Sequence, residues 1–462
     1  MTSPSSAAVQ DTITQLRTIV GEAHVLVGED ISNRWDGYPL GEPMQALCIV
    51  RPASTAEVSS VLAYCNETGL KVVPQGGRTG MAGGARTDIG EVALSLERLR
   101  AIGEVDLTAG TICVEAGVPL QSVQEAARAA GLSYPIDLGA RGSATIGGTI
   151  STNAGGNSVF RFGMTREQVL GLEVVLADGT ILSSMNRLIK NNTGYDLKQL
   201  FIGAEGTLGV VTRAVLRLRP DPGERATAFV GLHRFEDVLA FMVLASASAD
   251  GALTSFEVMW QSFLDRILGQ ASHTPPLSET FPFYVLVEIV SHNSAALIET
   301  VLQRAWDQGI IADAALAQSN AQTSAFWAIR DDIDALIAAL KPVFLYDISL
   351  PQISMEAYVH RLHERLSLIW EHVELVVFGH IADGNLHLFV STGDAGDHKA
   401  VDAIVYDLLR PLSGSISAEH GIGLEKRNYL EVSRSSDELA TMKRLKSALD
   451  PNGTLNPGKI FS

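Results

Sequence analysis

Two histidines stand seven positions apart in the stretch FGHIADGNLHLFVS, residues 378 to 391. Asp383 and Gly384 between them favour a two-residue hairpin turn, and apolar, β-prone runs flank the turn on both sides. A loop of only those two residues predicts that His380 faces His387 directly, with Cβ atoms about 4.5 to 5.5 Å apart. Two imidazoles at that spacing can hold one metal ion between them. The alternative to a metal site, when this motif is considered by itself, is a pair of histidines that are hydrogen-bonded within the protein and have only a structural role.

A single arginine interrupts the apolar stripe of a predicted helix, AFWAIRDDIDALIAAL, at residues 325 to 340. Apolar residues recur there at helical spacing, and Arg330 falls on the same face. A guanidinium on a buried face needs an acidic partner, and its planar fork matches a carboxylate. Asp334, one turn further along the predicted helix, is one candidate partner, and the carboxylate of a ligand is the other.

Four glycine clusters lie between residues 74 and 212: PQGGRTGMAGG, GARGSATIGGTISTNAGGN, NNTGYD and GAEGTLGVVT. Glycine lets the backbone approach a ligand closely and adopt positive φ angles, so successive N–H groups can converge on phosphate oxygens. Neither GxGxxG after a strand nor GxxxxGK[ST] occurs, which argues against a nicotinamide-type Rossmann site and against a P-loop. Any one cluster could be a set of tight turns, but four in one region favour a site for a pyrophosphate.

The elements around these motifs divide the chain into four predicted segments. Residues 1–42 are mainly helical and end in the breaker cluster DGYPLGEP. In residues 43–219, short β-rich runs alternate with helical ones, which predicts an α/β domain. In residues 220–410, alanine-rich helices mix with strands such as FYVLVEIV, which predicts a second, α+β domain. Residues 411–462 form a turn-rich C-terminal segment. The predicted fold class is therefore α+β overall.

Length, charge and cysteine usage narrow the classes of function. The 462 residues exceed one ordinary core, and 46% hydrophobic with 19% charged residues is typical of a globular protein. Acidic residues outnumber basic ones by 52 to 35, and this net charge of −17 argues against nucleic acid and anionic lipid as partners. Three cysteines without a CxxC pair and an N-terminus without a signal pattern predict a cytoplasmic protein with no integral membrane segment, any membrane contact being peripheral.

The glycine clusters PQGGRTGMAGGA, YPIDLGARGSATIGGTISTNAGG and FIGAEGTLGVVT resemble the FAD-binding segments of the vanillyl-alcohol-oxidase type flavoproteins. GHIADGNLH, SAEHGIG and DPNGTLNPGK are similar to motifs of that family's D-2-hydroxyacid dehydrogenase branch, which contains D-lactate and D-2-hydroxyglutarate dehydrogenases and the glycolate oxidase flavin subunit. The resemblance covers nearly the whole chain from about residue 43 onward. It implies an extended FAD between two α/β subdomains, an α+β substrate or cap domain, and a C-terminal segment that returns to the active site.

The same resemblance implies which residues contact FAD. Gly76, Gly77, Arg78, Thr79 and Gly80 would cradle the pyrophosphate, mainly through backbone donors. Ser143, Gly147, Gly148 and Asn153 would pack along the cofactor, and Gly206, Gly209 and Val211 would lie on its adenine side. Covalent relatives carry a histidine in the first loop. Because GGRTGMAGG has none, noncovalent FAD is expected.

A metal site and a catalytic base also follow from the resemblance. Glu419 in SAEHGIG matches the family's carboxylate ligand and completes a set with His380 and His387. Such a mixed site suits zinc, with manganese and iron(II) as alternatives. The adjacent His420 could then take the hydroxyl proton of a 2-hydroxy acid while its hydride passes to the flavin. Successive residues on a strand point to opposite faces, so an irregular loop is predicted at Glu419 and His420.

The implied substrate pocket departs from the hydroxyglutarate-specific pattern. Arg330 stands at the position of the arginine that binds the substrate carboxylate. Where those enzymes have threonine, lysine and asparagine, this chain has Asp334, Leu345 and Phe389. A distal carboxylate would meet one negative charge and two apolar side chains, which is costly. D-2-hydroxyglutarate is therefore expected to be a poor substrate, and D-lactate or a D-2-hydroxy acid with an apolar tail is favoured. Asp334 could instead contact a hydroxyl or amine of the substrate.

Several alternatives stay open at this point. D-2-hydroxyglutarate dehydrogenase is the alternative activity, and a non-redox flavoenzyme such as an alkyl-glycerone-phosphate synthase is the alternative reaction class. The chain could also be the flavin subunit of a glycolate-oxidase-like complex, or a metal-binding structural module. Relatives pass electrons to electron-transferring flavoprotein, a quinone or a cytochrome, and the residues do not choose among these acceptors. Homodimer formation is equally open.

Overall fold

The structure is a computed structural model that describes residues 6–37, 42–270 and 273–461. Helices and strands mix along its whole length, as the α+β prediction requires. The breaker cluster DGYPLGEP is predicted to end the N-terminal segment, and its four central residues, 38–41, lie outside the described residues. The predicted segment boundaries therefore stay predictions.

Two four-stranded sheets build the glycine-rich half of the chain. The first has the order Val25–Leu26, Cys48–Val50, Val92–Ser95 and Val72–Gln75, and its last three strands are parallel. The second is antiparallel, in the order Thr111–Glu115, Val210–Arg217, Val169–Val175 and Ile181–Ser184. Leu132–Ser133 and Arg219–Pro220 form a separate ribbon. The runs KVVP, EVALSL, TICVEAG and LGVVTRAVLRLRP each contain a strand, in agreement with the short β-rich runs predicted for residues 43–219.

The helices of this half pack against both sheets. They are Ser6–Val20, Glu29–Ser32, Thr55–Thr68, Leu120–Ala129, Ile146–Thr152, Val159–Phe162, Thr165–Gln168 and Lys198–Phe201, with a 3-10 turn at Glu22–His24. Local sequence sets their ends. Ser54 caps the helix Thr55–Thr68 by accepting a hydrogen bond from Glu57 N at 3.2 Å, and Gly69 ends it in the left-handed conformation at φ +74°.

A seven-stranded antiparallel sheet forms the centre of the other half. Its order is Asp313–Leu316, Glu224–Leu232, Phe283–Ser291, Leu253–Trp260, Glu374–His380, Asn385–Ser391 and Phe344–Ser349. The helices of this half are Phe235–Ser248, Gln261–Gln270, Ser294–Asp307, Asn320–Asp331, Ile333–Ala339, Met355–Ser367 and His398–Asp407, with 3-10 turns at Gln352–Ser354, Ile381–Asp383 and Ala395–Asp397.

Helices cover both faces of this sheet, which explains why FYVLVEIV is apolar at every position but Glu288 rather than alternating. One face carries aromatic side chains such as Phe378 over much of its area. Towards one end the same face becomes charged. Glu257, His380, His387 and Asp347 stand there on four adjacent strands of the sheet. This charged row is the structural basis of the candidate site.

The C-terminal segment connects the two halves. Its helical elements are Arg410–Leu412, Arg427–Tyr429, Leu430–Ser433 and Ser436–Leu449. It begins beside the seven-stranded sheet, where Ser349 N donates to Ser415 O at 3.0 Å. It ends beside the first sheet, where Asn456 N donates to Val72 O at 2.7 Å. Residues 413–423 therefore cross between the halves.

Two bulk expectations concern thiols and membrane spans. Cys48 and Cys65 are buried free thiols, and Cys113 is a half-buried one. Within the described ranges 6–37, 42–270 and 273–461, none of the helices has the length and apolar character needed to cross a membrane.

Candidate active site

The hairpin that carries His380 and His387 has a longer turn than predicted. A 3-10 turn at Ile381–Asp383 follows the first strand, and Gly384 takes the left-handed conformation at φ +86°. His387 consequently pairs with Phe378 rather than with His380, so the predicted two-residue loop is wrong. The register differs by two positions, and because side chains alternate with a period of two, both histidines still share one face. Their ring centroids lie 5.3 Å apart.

The two histidine strands are adjacent, and each has a second neighbouring strand on its far side. Each histidine faces a carboxylate on that second strand. Glu257 is the cross-strand partner of His380, and Glu257 Oε1 lies 2.7 Å from His380 Nδ1. Asp347 is the cross-strand partner of His387, with 3.7 Å between Oδ1 and Nδ1. Burial by itself lowers the pKa of an imidazole, but Glu257 outweighs burial and raises the pKa of His380 to about 9. Burial and the charge of His380 hold the pKa of His387 well below its usual range.

Glu419 and His420 lie in an irregular loop, as predicted, and both reach the histidine pair. Glu419 Oε2 lies 3.8 Å from His380 Nε2. The His420 ring stacks near the His387 ring, with 6.2 Å between their centroids. Gly156, from the second glycine cluster, orients Glu419 by donating its N–H to Oε1 at 2.8 Å. The sequence-predicted ligands and base are thus brought together in space.

Two buried carboxylates hold this loop by its backbone. Asp347 Oδ2 accepts hydrogen bonds from the N–H groups of Glu419 and His420, at 2.9 and 3.0 Å. Glu205 accepts from the N–H groups of Ile422 and Gly423, at 2.7 and 2.8 Å. Asp347 belongs to the seven-stranded sheet and Glu205 to the glycine-rich half. The loop is therefore fixed from both halves of the molecule.

The electrostatic surroundings of Asp347 and Glu205 differ. Burial opposes a charge on Asp347, but His420, Lys426 and His387 outweigh it and hold the pKa of Asp347 well below its usual range. Burial raises the pKa of Glu205, and its two backbone donors offset only part of this rise. Asp347 is accordingly the firmly ionised member of the pair.

His380, His387 and Glu419 form the candidate metal site. One donor atom from each residue lies within 4.8 Å of the other two. Two imidazoles and a carboxylate suit zinc, manganese or iron(II), so the donor set fits the predicted ion. Asp347, Glu419 and His420 form a second group with similar spacing. Asp347 already accepts three hydrogen bonds, two from the loop and one from Asn385 Nδ2, which makes that second group the weaker candidate.

A cavity of about 330 Å³ lies against the glycine loops. The predicted FAD residues that line it are Gly76, Gly77, Arg78, Thr79, Gly80, Gly147, Gly148, Gly206, Gly209 and Val211. Glu419 and His420 line the same cavity. The loop of the candidate metal site is therefore also part of the wall of the candidate cofactor site.

The other two predicted FAD residues, Ser143 and Asn153, are not among those that line this cavity. Asn153 ends the helix Ile146–Thr152 in the left-handed conformation at φ +51°, and its Oδ1 accepts from Arg166 N at 2.9 Å. The carbonyl oxygen of Ser143 packs against Gly77 so closely that a Cβ there would overlap it. These two residues shape the loops behind the cavity surface.

Close backbone packing makes the cavity suitable for an extended cofactor. A Cβ on Gly147 would lie 2.7 Å from the Cβ of Ala116, so glycine is needed for that helix to approach its neighbour. Gly80 faces open space on the cavity side, where a backbone N–H can meet a ligand without a side chain between them. These features fit the FAD that the glycine clusters predict.

A second cavity, of about 400 Å³, adjoins the first. Arg78, Gly80, Met81 and His420 line both cavities. Leu345 lies on the wall of the second one. His420 thus stands at the junction of the two cavities, whereas His380, His387 and Glu419 are not among the residues that line the second one.

Arg330 is buried and paired with Glu257, an acid that the sequence pattern did not indicate. Arg330 Nε donates to Glu257 Oε2 at 3.0 Å, and its Nη2 lies 3.5 Å from His380 Nε2. The guanidinium carbon lies 4.9 Å from the centroid of the Phe378 ring. The arginine therefore stands beside the candidate metal site, although it is not among the residues that line either cavity.

The single helix predicted over residues 325–340 is wrong. Asp332 leaves the helical conformation at ψ +56°, which ends the helix Asn320–Asp331, and its side chain caps the next helix through Ala335 N. Asp334 is in that second helix and is exposed, and it is not among the residues that line either cavity. Its predicted place at the distal end of the substrate is therefore not reproduced.

Leu345 and Phe389 are direct cross-strand partners. Phe389 is only 4% exposed, and its ring centroid lies 5.3 Å from that of Phe378. Phe378 also lies under Arg330, so Phe378 and Phe389 form an apolar layer between the arginine and Leu345. Leu345 lines the second cavity, whereas Phe378 and Phe389 line neither cavity.

Three carboxylates of the site, Glu205, Glu257 and Asp347, were missed by sequence reasoning. Glu257 in TSFEVMW and Asp347 in FLYDISL are single charges within apolar strands. A charge in that setting is rarely buried without a partner, and this is the signal that could have found both. Nothing in GAEGTLGVVT distinguishes Glu205 from an exposed turn residue.

Comparison with protein families gives two matches that together span most of the chain. Residues 221–460 match the family described as FAD linked oxidases, C-terminal domain. Residues 46–184 match the family described as FAD binding domain. The glycine clusters up to residue 157 lie within the match to the FAD binding domain. The charged row of the sheet lies within the match to the C-terminal domain.

Relatives and solved structures agree with these matches. The chain is 39% identical over 471 residues to a D-2-hydroxyglutarate dehydrogenase of Xanthomonas citri pv. viticola, covering 100% of this chain and 98% of that one. Its fold is similar to p-cresol methylhydroxylase, with a TM-score of 0.77 at 14% identity over 99% of this chain and 97% of that one. It is also similar to alkyldihydroxyacetonephosphate synthase, with a TM-score of 0.75 at 15% identity over 99% and 87%. The two structures establish the vanillyl-alcohol-oxidase type of fold alone.

Proposed function

The chain belongs to the FAD-linked oxidase family, in its D-2-hydroxyacid dehydrogenase branch, and we propose that it oxidises a D-2-hydroxy acid to the 2-oxo acid with noncovalent FAD and one divalent metal ion. Zinc is the proposed ion, with manganese and iron(II) as alternatives. FAD, when bound, accepts the hydride, and the ion, when bound, makes the substrate hydroxyl more acidic.

One observation carries this proposal. Glu419 and His420 are neighbours on a single loop, both line the cofactor cavity, and Glu419 is within ligand-sharing distance of His380 and His387. A dehydrogenase of this type needs its base, its metal ligands and its flavin around one substrate carbon. A structural metal module would not need its ligands in the wall of a cofactor cavity.

Three residues of this chain have separate roles in the proposed reaction. Arg330 binds the substrate carboxylate through its Nη groups, because Glu257 occupies only the Nε–H. His420, at the junction of the two cavities, accepts the hydroxyl proton. Asp347 holds the backbone of Glu419 and His420, so the base and the carboxylate ligand keep one mutual orientation.

The tail of the substrate is proposed to be apolar. Leu345, Phe389 and Phe378 form the wall next to Arg330, and a second carboxylate there would lose its water without gaining a partner. D-lactate and longer apolar D-2-hydroxy acids are therefore the favoured substrates. D-2-hydroxyglutarate is the second candidate, because the relative at 39% identity is named for it.

The electron acceptor, the cellular location and the assembly are proposed from the resemblance to the same family. The acceptor of the electrons is electron-transferring flavoprotein, a quinone or a cytochrome, and the protein acts in the cytoplasm, in peripheral contact with a membrane if the acceptor is there. A homodimer and a multi-component complex of the glycolate oxidase kind are the two assemblies to test.

Anaerobic mixing tests the proposal directly. Purified flavoprotein is mixed with D-lactate, longer apolar D-2-hydroxy acids, D-2-hydroxyglutarate or glycolate, with and without a chelator, and the flavin absorbance is followed. L-lactate is the matched control, because it differs only in the configuration at the reacting carbon.

Bleaching by the apolar D-acids that chelation abolishes and zinc or manganese restores is the expected result. Faster bleaching by D-2-hydroxyglutarate than by D-lactate would select the second candidate. No bleaching by any hydroxy acid, with metal added back, would favour a partner-dependent subunit or a non-redox flavoenzyme.

A further inference from the structure

A single buried carboxylate contacts both the candidate substrate arginine and a candidate metal ligand. Glu257 Oε2 accepts from Arg330 Nε at 3.0 Å, and Glu257 Oε1 lies 2.7 Å from His380 Nδ1. We infer that Glu257 is a positioning residue that orients both groups at once, so that metal binding and hydroxy-acid binding depend on the same side chain. The inference rests on the proposed function for the roles of Arg330 and His380.

The hydrogen bond to His380 fixes which ring nitrogen is available as a ligand. An ionised carboxylate can only accept hydrogen bonds, so Nδ1 must be the donor. In neutral His380 the proton therefore lies on Nδ1, and Nε2 presents its lone pair. Nε2 is also the atom that lies 3.8 Å from Glu419 Oε2, on the side of the candidate metal site. Carboxylate partners of this kind orient metal-binding histidines generally.

The hydrogen bond to Arg330 fixes the direction of the guanidinium. Glu257 uses the Nε–H. The Nη groups make only longer contacts, Nη1 at 3.8 Å from Asp331 Oδ1 and Nη2 at 3.5 Å from His380 Nε2, which a bound anion would replace. The carboxylate of a bound hydroxy acid can therefore face the arginine and the metal ligand together. Without Glu257, the contacts that restrain this rotation are the stacking on Phe378, the 3.5 Å contact of Nη2 with His380 Nε2 and the 3.8 Å contact of Nη1 with Asp331 Oδ1.

Water cannot replace Glu257, because the three side chains are enclosed. The Glu257 side chain is 1% exposed, and those of Arg330 and His380 are 6% and 8% exposed. Cross-strand pairing with His380 sets the position of Glu257, since the two residues face each other in adjacent strands. The backbone of the sheet thus brings the carboxylate to both partners.

Glu257→Gln is a nearly isosteric change that cannot serve both partners as the carboxylate does. If the amide oxygen faces Arg330 Nε, the amide N–H faces His380 Nδ1, which then accepts and moves the ring proton to Nε2. If the oxygen faces His380, two donors meet at Arg330. The first orientation keeps both hydrogen bonds but moves the ring proton to the nitrogen that faces the candidate metal site. The second orientation loses the hydrogen bond to Arg330. The volume of the side chain is kept in both.

Glu288→Gln is the matched control. Glu288 is a buried glutamate on the neighbouring strand Phe283–Ser291, and its Oε2 accepts from Thr227 Oγ1 at 3.0 Å and Trp327 Nε1 at 2.9 Å. It also lies 3.4 Å from the half-exposed Arg225. The substitution repeats the loss of one buried charge in the same sheet without changing a contact of His380.

The experiment measures zinc affinity of the FAD-loaded protein by competition with a chelating dye, together with KM for D-lactate. E257Q is expected to bind zinc about 10- to 100-fold more weakly, in line with the loss of other such partners, and to show a raised KM. E288Q is expected to stay within about threefold of the wild type in both, since its partners lie outside the site. The flavin spectrum and thermal unfolding report whether each variant is folded.

Glu257→Asp provides a second test if E257Q does not retain FAD. It keeps the charge but is one methylene shorter, so weaker zinc binding than in the wild type is again expected. Wild-type zinc affinity and KM in a folded E257Q or E257D protein would overturn the inference and leave the proposed function intact. A wild type that binds no zinc, manganese or iron(II) and turns over in chelator would overturn the metal-dependent proposal, and this inference with it.

Discussion

The cofactor cavity and the charged row of the seven-stranded sheet are built in opposite ways. Most of the predicted FAD residues are glycines, and their backbones form the surface. The charged row consists of side chains, each of which depends on a neighbour: His380 on Glu257, and the loop of Glu419 on Asp347. A surface made of backbone fails when an atom is added to it. A cluster of charges fails when an atom or a charge is removed.

Removing the proposed base should have the largest effect. His420→Asn is expected to lower kcat by about 100- to 10,000-fold, because a positioned general base contributes that much to proton transfer. FAD should be retained, since the cavity keeps its glycine surface. Stopped-flow flavin reduction measures the effect, and His360→Asn, on the exposed side of the helix Met355–Ser367, is the control. Reduction within threefold of the wild type would remove His420 from the mechanism.

Adding one carbon to a glycine of the cofactor cavity, on the side where its loop packs against another loop, should have the next largest effect. Gly77→Ala is expected to weaken FAD binding by about 10- to 100-fold, because a Cβ there overlaps the Ser143 carbonyl and overpacking costs about 1 to 3 kcal/mol. FAD content after gel filtration measures it. Gly90→Ala is the control, since Gly90 is exposed and its Cβ would meet open space. Equal FAD content in both variants would contradict a surface made of closely packed backbone.

Changing the apolar wall should shift specificity without removing activity. Leu345→Lys places a cation opposite Phe389, where it can pair with a distal carboxylate. The ratio of kcat/KM for D-2-hydroxyglutarate to that for D-lactate is expected to rise about tenfold. Leu345→Met, which nearly conserves volume, should leave the ratio unchanged. A wild type that already prefers the diacid would show that the wall does not select the substrate tail.

The smallest effect is expected from a charge cluster outside the site. Burial opposes ionisation of Glu97, but Arg34 and Arg51 outweigh it and lower the pKa of Glu97 to about 2. A lowered pKa means that this stabilisation is present above the ordinary value of 4.5 and is lost as pH falls towards 2. Glu97→Gln should reduce the free energy of unfolding at pH 7 by about 1 kcal/mol.

Denaturant unfolding over the acid range measures the effect of Glu97→Gln. The difference from the wild type should shrink as pH falls below about 4.5, and flavin reduction should not change. The exposed Glu104→Gln is the control. A difference that persists at the acid end would assign the stabilisation to packing rather than to charge.

The two regions also differ in how far the sequence predicts them. Glycine clusters are contiguous, and their requirement for close backbone approach is local, so most of the cavity surface could be named from residue types and a family resemblance. The partners of the charged row come from distant segments, at residues 257, 330, 347, 380 to 387 and 419 to 420. Only the tertiary fold brings them together. The single charges at Glu257 and Asp347 within apolar strands could indicate buried, paired carboxylates, but not which residues they pair with.

Local errors have local causes. The hairpin turn was predicted from Asp383 and Gly384 alone, whereas the chain inserts a 3-10 turn before Gly384. The helix through Arg330 was extended by apolar periodicity, whereas Asp332 serves as a cap between two helices. In the first case the two-residue period of the strand preserved the shared face. In the second, nothing restored the predicted spacing between Arg330 and Asp334.

Asp347 and Glu205 accept hydrogen bonds from four backbone N–H groups of the loop at residues 419–423, so amide hydrogen exchange can detect the opening of each contact. The N–H groups of Glu419 and His420 exchange with deuterium only when they leave Asp347, and those of Ile422 and Gly423 only when they leave Glu205. The four amides therefore report separately on each half of the molecule. If cofactor release loosens the glycine-rich half first, the second pair should begin to exchange while the first pair is still protected.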